Sequence, residues 1–366
     1  MTGGADPRDR DFMLRALELA RRGWGRVHPN PLVGAVVVRE GRVIGEGYHA
    51  EYGGPHAEVV ALRAAGSAAR GATLYVTLEP CNHHGKTPPC TGAILEAGIA
   101  RVVYGAADPN PRARGGAGTL RAAGVDVVGG VCADESRALN AAFFHVHERG
   151  APFVALKYAL SLDARLSEAP GRRTAVTGPS AIAETHRLRA GFDAIMVGSR
   201  TARIDDPLLT VRGEVVPRVP PVRVVVDSEA ALAPGSRLVR TARQVPVWVL
   251  CAEDAPRDRV DSLVREGVRV LPVPRAPVGL DVAAMLDRLA EAGIRSVFCE
   301  GGGRLGASLL AADRVRRLYL FYAPRLFGEA GVPAFPAEPG RMAEGWTLRE
   351  VRPLPPDFLC ILDRSG

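Results

Sequence analysis

Two hydrophobic periods alternate along this chain. Phe12 to Arg22 carries apolar side chains at helical spacing, and Val33 to Val38 with Arg42 to Gly47 reads as a hairpin turning near Glu40-Gly41. After the Gly53-Gly54-Pro55 break, His56 to Ala69 is expected to be helical, and Thr73 to Leu78 is a buried strand. A helix over Thr91 to Ala97, a strand over Arg101 to Ala106, a helix over Gly116 to Ala123, a short strand over Val125 to Val128 and a last helix from Ala133 to Glu148 follow. Strands alternating with helices predict a three-layer α/β unit.

Gly150-Ala151-Pro152 reads as a seam between domains 1–150 and 151–366. Beyond it the alternation resumes. Strands are expected at Phe153 to Leu160, Ala194 to Gly198, Val222 to Asp227, Pro246 to Cys251, Val268 to Val273, Ser296 to Cys299 and Leu318 to Tyr322. Helices are expected near Ser180 to Ala190, Arg257 to Glu266, Val282 to Ala292 and Gly306 to Ala312. The second half therefore reads as another α/β unit, with a mostly parallel sheet.

Composition agrees with two folded units. The 366 residues exceed one ordinary core, and 47% hydrophobic content suffices for two. Apolar runs such as Val33 to Val38 are far too short to span a bilayer, and the first residues, MTGGADPRDRD, lack a signal peptide's apolar stretch. The expectation is a cytoplasmic protein. Cys132, Cys251, Cys299 and Cys360 lie singly among apolar residues and read as buried thiols, whereas Cys81 and Cys90 share one loop. The net charge of +7 is spread along the chain without a basic run, and aromatic content is 5%, which argues against nucleic-acid binding. A small anionic substrate or NADP accounts for the excess equally well. Of 47 basic residues only Lys86 and Lys157 are lysines. Lysines that persist amid so much arginine point to sites needing a compact ammonium.

The chemistry sits in three short elements: His56-Ala57-Glu58, Glu79-Pro80-Cys81 and Pro88-Pro89-Cys90. One imidazole and two thiolates can hold Zn²⁺ and leave a fourth position open for water, with Glu58 near enough to move protons without being a ligand. That set predicts zinc hydrolytic deamination. A closed structural site, with His83 or His84 as fourth ligand, is the competing reading, as are unrelated cysteines beside a surface histidine.

Eight residues separate Cys81 from Cys90, where the general deaminase signature has two. The stretch Thr77-Leu-Glu-Pro-Cys-Asn-His-His-Gly-Lys-Thr-Pro-Pro-Cys90 closely resembles the deaminase half of the bifunctional riboflavin-biosynthesis deaminase/reductases, as do His28-Pro-Asn-Pro-Leu-Val-Gly34, Gly47-Tyr-His49 and Ala107-Asp-Pro-Asn-Pro111. The resemblance implies a cytidine-deaminase-like domain acting on a phosphoribosylamino diaminopyrimidinone. Asn30, His49, His83, Lys86, Asp108 and Asn110 match the positions that line its pocket. Read as residues alone, Asn30 and the Asp108-Pro-Asn-Pro stretch are equally turns.

In the second half Glu300-Gly-Gly-Gly303 follows a strand and precedes a helix, a turn able to present backbone N–H groups to a phosphate, though without the dinucleotide fingerprint's spacing. Lys157 lies in mid-strand and needs a partner or an anion. Lys157-x-Ala-x-Ser-Leu-Asp163, Gly198-Ser-Arg-Thr201, Asp205-Asp-Pro-Leu-Leu-Thr-Val-Arg212, Arg223-Val-Val-Val-Asp-Ser228 and Glu300-Gly-Gly resemble the reductase domain of the same family, which is dihydrofolate-reductase-like. By that resemblance Ala159, Thr201, Asp205, Ser228, Gly301 and Gly302 contact NADPH, and Lys157, Arg189, Leu209, Arg212 and Glu300 face the substrate. Arg189 and Arg212 would suit a phosphate. Three positions depart from the family: Ala164 for glycine, Arg173 for a substrate-contacting serine, and Ala175 for a tryptophan beside the nicotinamide.

The leading expectation is thus deamination followed by NADPH reduction of the ribosyl group to ribityl, in a homo-oligomer (dimer or tetramer). An active deaminase with a repurposed or inactive second half is the alternative. A deaminase on nucleic-acid bases is the weakest reading, because no basic-aromatic cluster supports it.

Overall fold

The computed structural model describes residues 7–85, 88–335 and 344–365. It divides into two compact units, Met1–Gly150 and Ala151–Gly366.

The first unit runs α1 (Pro7–Arg21), β1 (Gly34–Arg39), β2 (Arg42–Tyr48), α2 (Ala57–Ala65), β3 (Thr73–Leu78), α3 (Cys90–Glu96), β4 (Arg101–Ala106), α4 (Gly116–Ala122), β5 (Asp126–Gly129), α5 (Ala133–Leu139) and α6 (Ala141–Arg149). Its sheet has the order β2-β1-β3-β4-β5, with β1 antiparallel to both neighbours and β3, β4 and β5 parallel. The strands are apolar on both faces, so each face must be covered. Ala35, Val37, Leu74, Val76 and Val102 pack with Ala61, Leu62, Ile94 and Leu120 of α2, α3 and α4. Val36, Val38, Tyr75 and Val103 pack with Met13, Ala16 and Leu17 of α1.

The β1–β2 turn places Glu40 and Gly41 at φ 53° and 75°, the left-handed pair that a tight hairpin needs. The expected helix from Ala133 to Glu148 is instead two helices. Asn140, buried at the break, accepts the Leu32 N–H at 2.7 Å and donates to the Leu32 carbonyl at 2.9 Å. Its amide satisfies a loop peptide that no strand reaches. The helix expected to begin at His56 starts one residue later, with His56 extended at φ −72°, ψ 159°, and gives way to a 3₁₀ turn at Gly66–Ala69.

The second unit runs β6 (Phe153–Ser161), β7 (Arg165–Ser167), α7 (Pro179–Arg189), β8 (Ala194–Gly198), α8 (Ser199–Asp205), β9 (Val222–Val226), α9 (Arg237–Arg240), β10 (Val247–Ala252), α10 (Arg257–Arg265), β11 (Arg269–Val273), α11 (Val282–Glu291), β12 (Ser296–Cys299), α12 (Gly303–Ala311), β13 (Val315–Ala323), β14 (Val332–Pro333), β15 (Trp346–Leu354) and β16 (Asp357–Arg364). The main sheet has the order β11-β10-β9-β8-β12-β6-β13-β16-β15. It is parallel from β11 through β13 and closes with the antiparallel hairpin β15–β16. That hairpin, the pair β7–β14 and the helices α8 and α9 go beyond the elements expected from the sequence. Along β15 the side chains are mostly exposed, so the apolar alternation that marks a half-buried strand is weak there.

Ala164 closes the turn after β6 at φ 56°, where its Cβ is crowded and glycine would not be. The turn itself is well held. Asp163 accepts the Ser161 hydroxyl at 2.5 Å and the Phe327 and Gly328 N–H groups at 3.1 and 2.7 Å, and these bonds, the hydroxyl first, hold its carboxyl at about 2. Ala164→Gly is therefore expected to stabilise the second unit by about 0.5–1 kcal/mol, relief of the left-handed strain exceeding glycine's extra unfolded-state entropy. The denaturant midpoint of that unit's transition should rise; an unchanged or lowered midpoint would show that the turn carries no such strain.

Candidate functional sites

In the first unit the metal-type donors converge from three elements. His56 precedes α2, Cys81 lies beyond the end of β3, and Cys90 is the first residue of α3, one position inside the helix it was expected to precede. His56 Nδ1 lies 3.2 Å from Cys90 Sγ and 3.5 Å from Cys81 Sγ, and the three donor atoms fall within 4.8 Å of one another. Tetrahedral zinc with ordinary bond lengths separates such donors by roughly 3.3–3.8 Å, so the arrangement fits that ion. Among the described residues this is the one such cluster of at least three, and neither His83 nor His84 joins it. The closed four-ligand reading thus lacks a fourth side chain among those residues.

The neighbouring Cys81 and burial push the Cys90 thiol up, while Cys90 and His56 draw the Cys81 thiol down. The Cys90 N–H points at Cys81 Sγ, at 3.4 Å. Hydrogen bonding to Cys81 raises His56. A divalent cation is what this set of one imidazole and two soft sulfur donors suits.

Glu58 sits on the first turn of α2, buried, with its carboxyl pushed up by desolvation and then by the Cys81 charge. The helix reaches this position because β2 meets it with glycine at two positions. A Cβ on Gly45 would lie 2.3 Å from the Ala61 carbonyl oxygen, and one on Gly47 would lie 2.5 Å from that of Ala57.

Asn30, His49, His83, Asp108 and Asn110 all line the pocket that opens onto His56, Glu58 and Cys81. Lys86 lies outside the described residues. His49 is buried and lowered by desolvation. Its Nδ1 faces the Pro55 carbonyl at 3.0 Å, which can only accept, so Nε2 of the neutral ring accepts from Asn30 Nδ2 at 3.1 Å. That bond assigns the Asn30 amide, with Oδ1 as its remaining acceptor. Burial raises Asp108 to about 6 against the pull of the Asn110 N–H at 2.8 Å. His83 Nδ1 is buried and finds no partner among the described residues. Tyr52 and Phe143 also line the pocket and went unremarked in the sequence, because nothing in an isolated aromatic residue marks a wall.

In the second unit the expected residues gather at the carboxyl ends of the parallel strands, where such sheets place ligands. Ser228 follows β9, Thr201 lies on the helix after β8, and Glu300, Gly301 and Gly302 follow β12. Cys299 is in register with Leu156, so Glu300 comes beside Lys157 of β6, two residues before Ala159. Gly301 and Gly302 have φ 92° and 83°, and a Cβ on Gly302 would lie 3.1 Å from Thr201 Oγ1. Asp205, at the end of α8, is raised by burial and pulled back by Arg173, so that departing arginine does stand near a residue assigned to the cofactor. Ala175 is exposed, and its carbonyl accepts from Arg325 at 2.7 Å.

Lys157 feels the charge of Glu300 without a direct ion pair to it. Burial lowers its ammonium, Glu300 opposes that, and the Phe321 ring centroid lies 5.5 Å from its Nζ. Against its own desolvation, Glu300 is held low by Arg189 and Lys157. Arg189 is braced within the protein. Its guanidinium forks onto Glu300, with Nη2 at 2.9 Å from Oε2, and Nη1 donates to the Thr210 carbonyl at 2.8 Å. Three of its five N–H groups are thus engaged, which leaves two for a ligand. The brace anchors the segment bearing Leu209, at φ 51°, and Arg212, whose N–H donates to His186 Nδ1 at 3.1 Å. His186, unremarked in the sequence, is lowered to about 4 by burial and then by Arg189 and Arg212. No helix among the described residues is long and apolar enough to cross a membrane.

Comparison with known proteins covers both units. The family model for the cytidine and deoxycytidylate deaminase zinc-binding region matches residues 6–106, and that for the RibD C-terminal domain matches residues 152–360. The riboflavin biosynthesis protein RibD of Escherichia coli (strain K12) is 39% identical over 364 residues, covering 95% of this chain and 97% of its own length. RibD of Aquifex aeolicus is 41% identical over 322 residues, 88% of each chain. Among solved structures, Acinetobacter baumannii RibD has a TM-score of 0.82 at 34% identity, covering 98% of this chain and 99% of its own. A diaminohydroxyphosphoribosylaminopyrimidine deaminase/5-amino-6-(5-phosphoribosylamino)uracil reductase from Thermotoga maritima has a TM-score of 0.81 at 36% identity, covering 97% and 98%. The fold is accordingly a cytidine-deaminase-like unit followed by a RibD-type, dihydrofolate-reductase-like unit, and the chain belongs to the RibD family of riboflavin-biosynthesis proteins.

Proposed function

We propose that this chain carries out two consecutive steps of riboflavin biosynthesis. It deaminates the phosphoribosylamino diaminopyrimidinone, then reduces the ribosyl group of the product to ribityl with NADPH. The observation that carries the reading is the His56, Cys81 and Cys90 donor set beside a buried Glu58, in a chain related over 95% of its length to such a protein.

In the first step His56 Nδ1 and the two sulfurs would hold zinc. Zinc there would supply a Lewis acid that makes hydroxide available from water near neutral pH. Glu58 would carry one water proton to the ring nitrogen and the second to the departing ammonia, from a carboxyl that is buried beside the donor set. Asn30 Oδ1 and Asp108 read the polar edge of the pyrimidine, beside Asn110, while His83 and Lys86 serve the ribose phosphate.

In the second step NADPH supplies the hydride. Ala159, Thr201, Asp205, Ser228 and the Gly301-Gly302 turn hold it along the carboxyl edge of the sheet. Lys157 and Glu300, the latter braced by Arg189, face the sugar, and Leu209 packs beside it. Arg212, with the unengaged edge of Arg189, suits the phosphate. The same reading puts the enzyme in the cytoplasm, where its thiols stay reduced, as a homo-oligomer. The edge strand β15 exposes Leu348 and Val351, which supports association with a second copy.

A coupled assay tests the whole. Purified protein given the diaminopyrimidinone ribotide and NADPH should release ammonia and oxidise NADPH in equal amounts. Ammonia without NADPH oxidation would favour the repurposed second half. Glu58→Gln should keep one zinc per chain while deamination falls by about 10²–10⁴-fold; near-normal turnover would remove the proton-shuttle role. Lys157→Arg should lose reduction and leave deamination intact, because a planar guanidinium does not replace the compact ammonium. Unchanged reduction kinetics would show that the lysine has no special place.

A further inference from the structure

Glu79 opens the Glu79-Pro80-Cys81 element, yet neither reaction step above uses it. It is buried, and its carboxylate is engaged by three backbone donors. Oε1 accepts the N–H groups of Gly115 and Ala117, both at 3.1 Å, and Oε2 accepts that of Asp108 at 3.3 Å. Its own N–H donates to the Ala106 carbonyl at 2.9 Å, joining the ends of β3 and β4. The fit around it is tight, since a Cβ on Gly116 would lie 1.8 Å from the Pro80 carbonyl oxygen. One carboxylate therefore ties together the strand end that carries Cys81, the turn that carries Asp108 and Asn110, and the start of α4.

We propose that Glu79 is a positioning residue for deamination, setting where Asp108 and Asn110 stand in the substrate pocket relative to the Cys81 strand end. The proposal rests on the deaminase reading above. The chemistry requires a carboxylate. A glutamine could keep its single amide oxygen on Gly115 and Ala117, but its NH₂ would then face the Asp108 N–H, donor against donor. Glu79→Gln thus cuts the link to Asp108 while leaving the rest in place. Because the Asp108 peptide leads directly into the Asp108–Asn110 hydrogen bond, the pocket wall shifts and ground-state binding suffers before chemistry does.

The test uses the full chain with zinc bound and the ribotide as substrate. Ammonia release by the unsubstituted protein checks the deaminase reading separately: no release would sink both, whereas release with a wild-type response of Glu79→Gln would sink this proposal alone. For Glu79→Gln the expected result is a KM raised about tenfold, the size typical of losing an outer partner of a site residue, with kcat within about threefold. Zinc should stay at one per chain, and NADPH oxidation on the deaminated product should be unchanged. In an Asp108→Ala, Asn110→Ala background the same substitution should add less than about twofold to KM, since both side chains it positions are gone. An unchanged KM, or a full tenfold effect persisting without the Asp108 and Asn110 side chains, overturns the proposal, as does a fall in kcat alone. Should Glu79→Gln fail to fold, Glu79→Asp is read the same way. Drawing the carboxylate back by one methylene should raise KM, and a wild-type KM would count against the role.

Discussion

The close approach of α2 to β2 is the constraint on which the first site depends. Gly45 and Gly47 lie on one face of the strand, and the carbonyls of Ala57 and Ala61 occupy the space where side chains would be. Nothing larger fits there without moving the helix. Moving α2 would carry His56 and Glu58 with it, and both must reach the end of β3 where Cys81 stands. Backbone packing thus decides a metal geometry that tolerates only a few tenths of an ångström.

Both units use the ends of parallel strands in the same way. In the first, β3 delivers Glu79 and Cys81 and β4 delivers Asp108 and Asn110. In the second, β9, β8 and β12 deliver Ser228, Thr201 and the Glu300–Gly302 turn. Strand ends are rigid and mutually in register, while the turns beyond them are free to carry polar groups. Such groups are costly to bury unless paired. The pairing is visible at each: Glu79 on three N–H groups, Arg189 forked onto Glu300, and His49 between Pro55 and Asn30.

The Arg189–Glu300 pair shows how such a bond can serve geometry more than stability. A buried ion pair gains little over apolar packing, but it enforces one arrangement of its partners. Here it holds Glu300 ionised beside Lys157 and, through Thr210, fixes the segment that carries Leu209 and Arg212. The sequence expectation for Arg189 was a phosphate; the fold adds a carboxylate that fixes the orientation of its guanidinium.

The linear order of residues was enough to set the reaction class, the two-unit α/β architecture and most strands. Zinc chemistry needs particular donor types, and His56, Glu58, Cys81 and Cys90 stand in motifs whose spacing exposes them. Buried strands such as Ala194–Gly198 and Ser296–Cys299 announce themselves by unbroken apolar runs. Other features required the fold. Asn140 breaks a helix because Leu32, 108 positions away, has a peptide to satisfy. The exposed edge strand β15 lacks the alternation that a half-buried strand shows. The charge states of Asp108 and His186, and the engagement of Arg189, come from neighbours distant in sequence. Local periodicity reports what a segment buries; only packing reveals which distant group it meets, and electrostatics depends on that meeting.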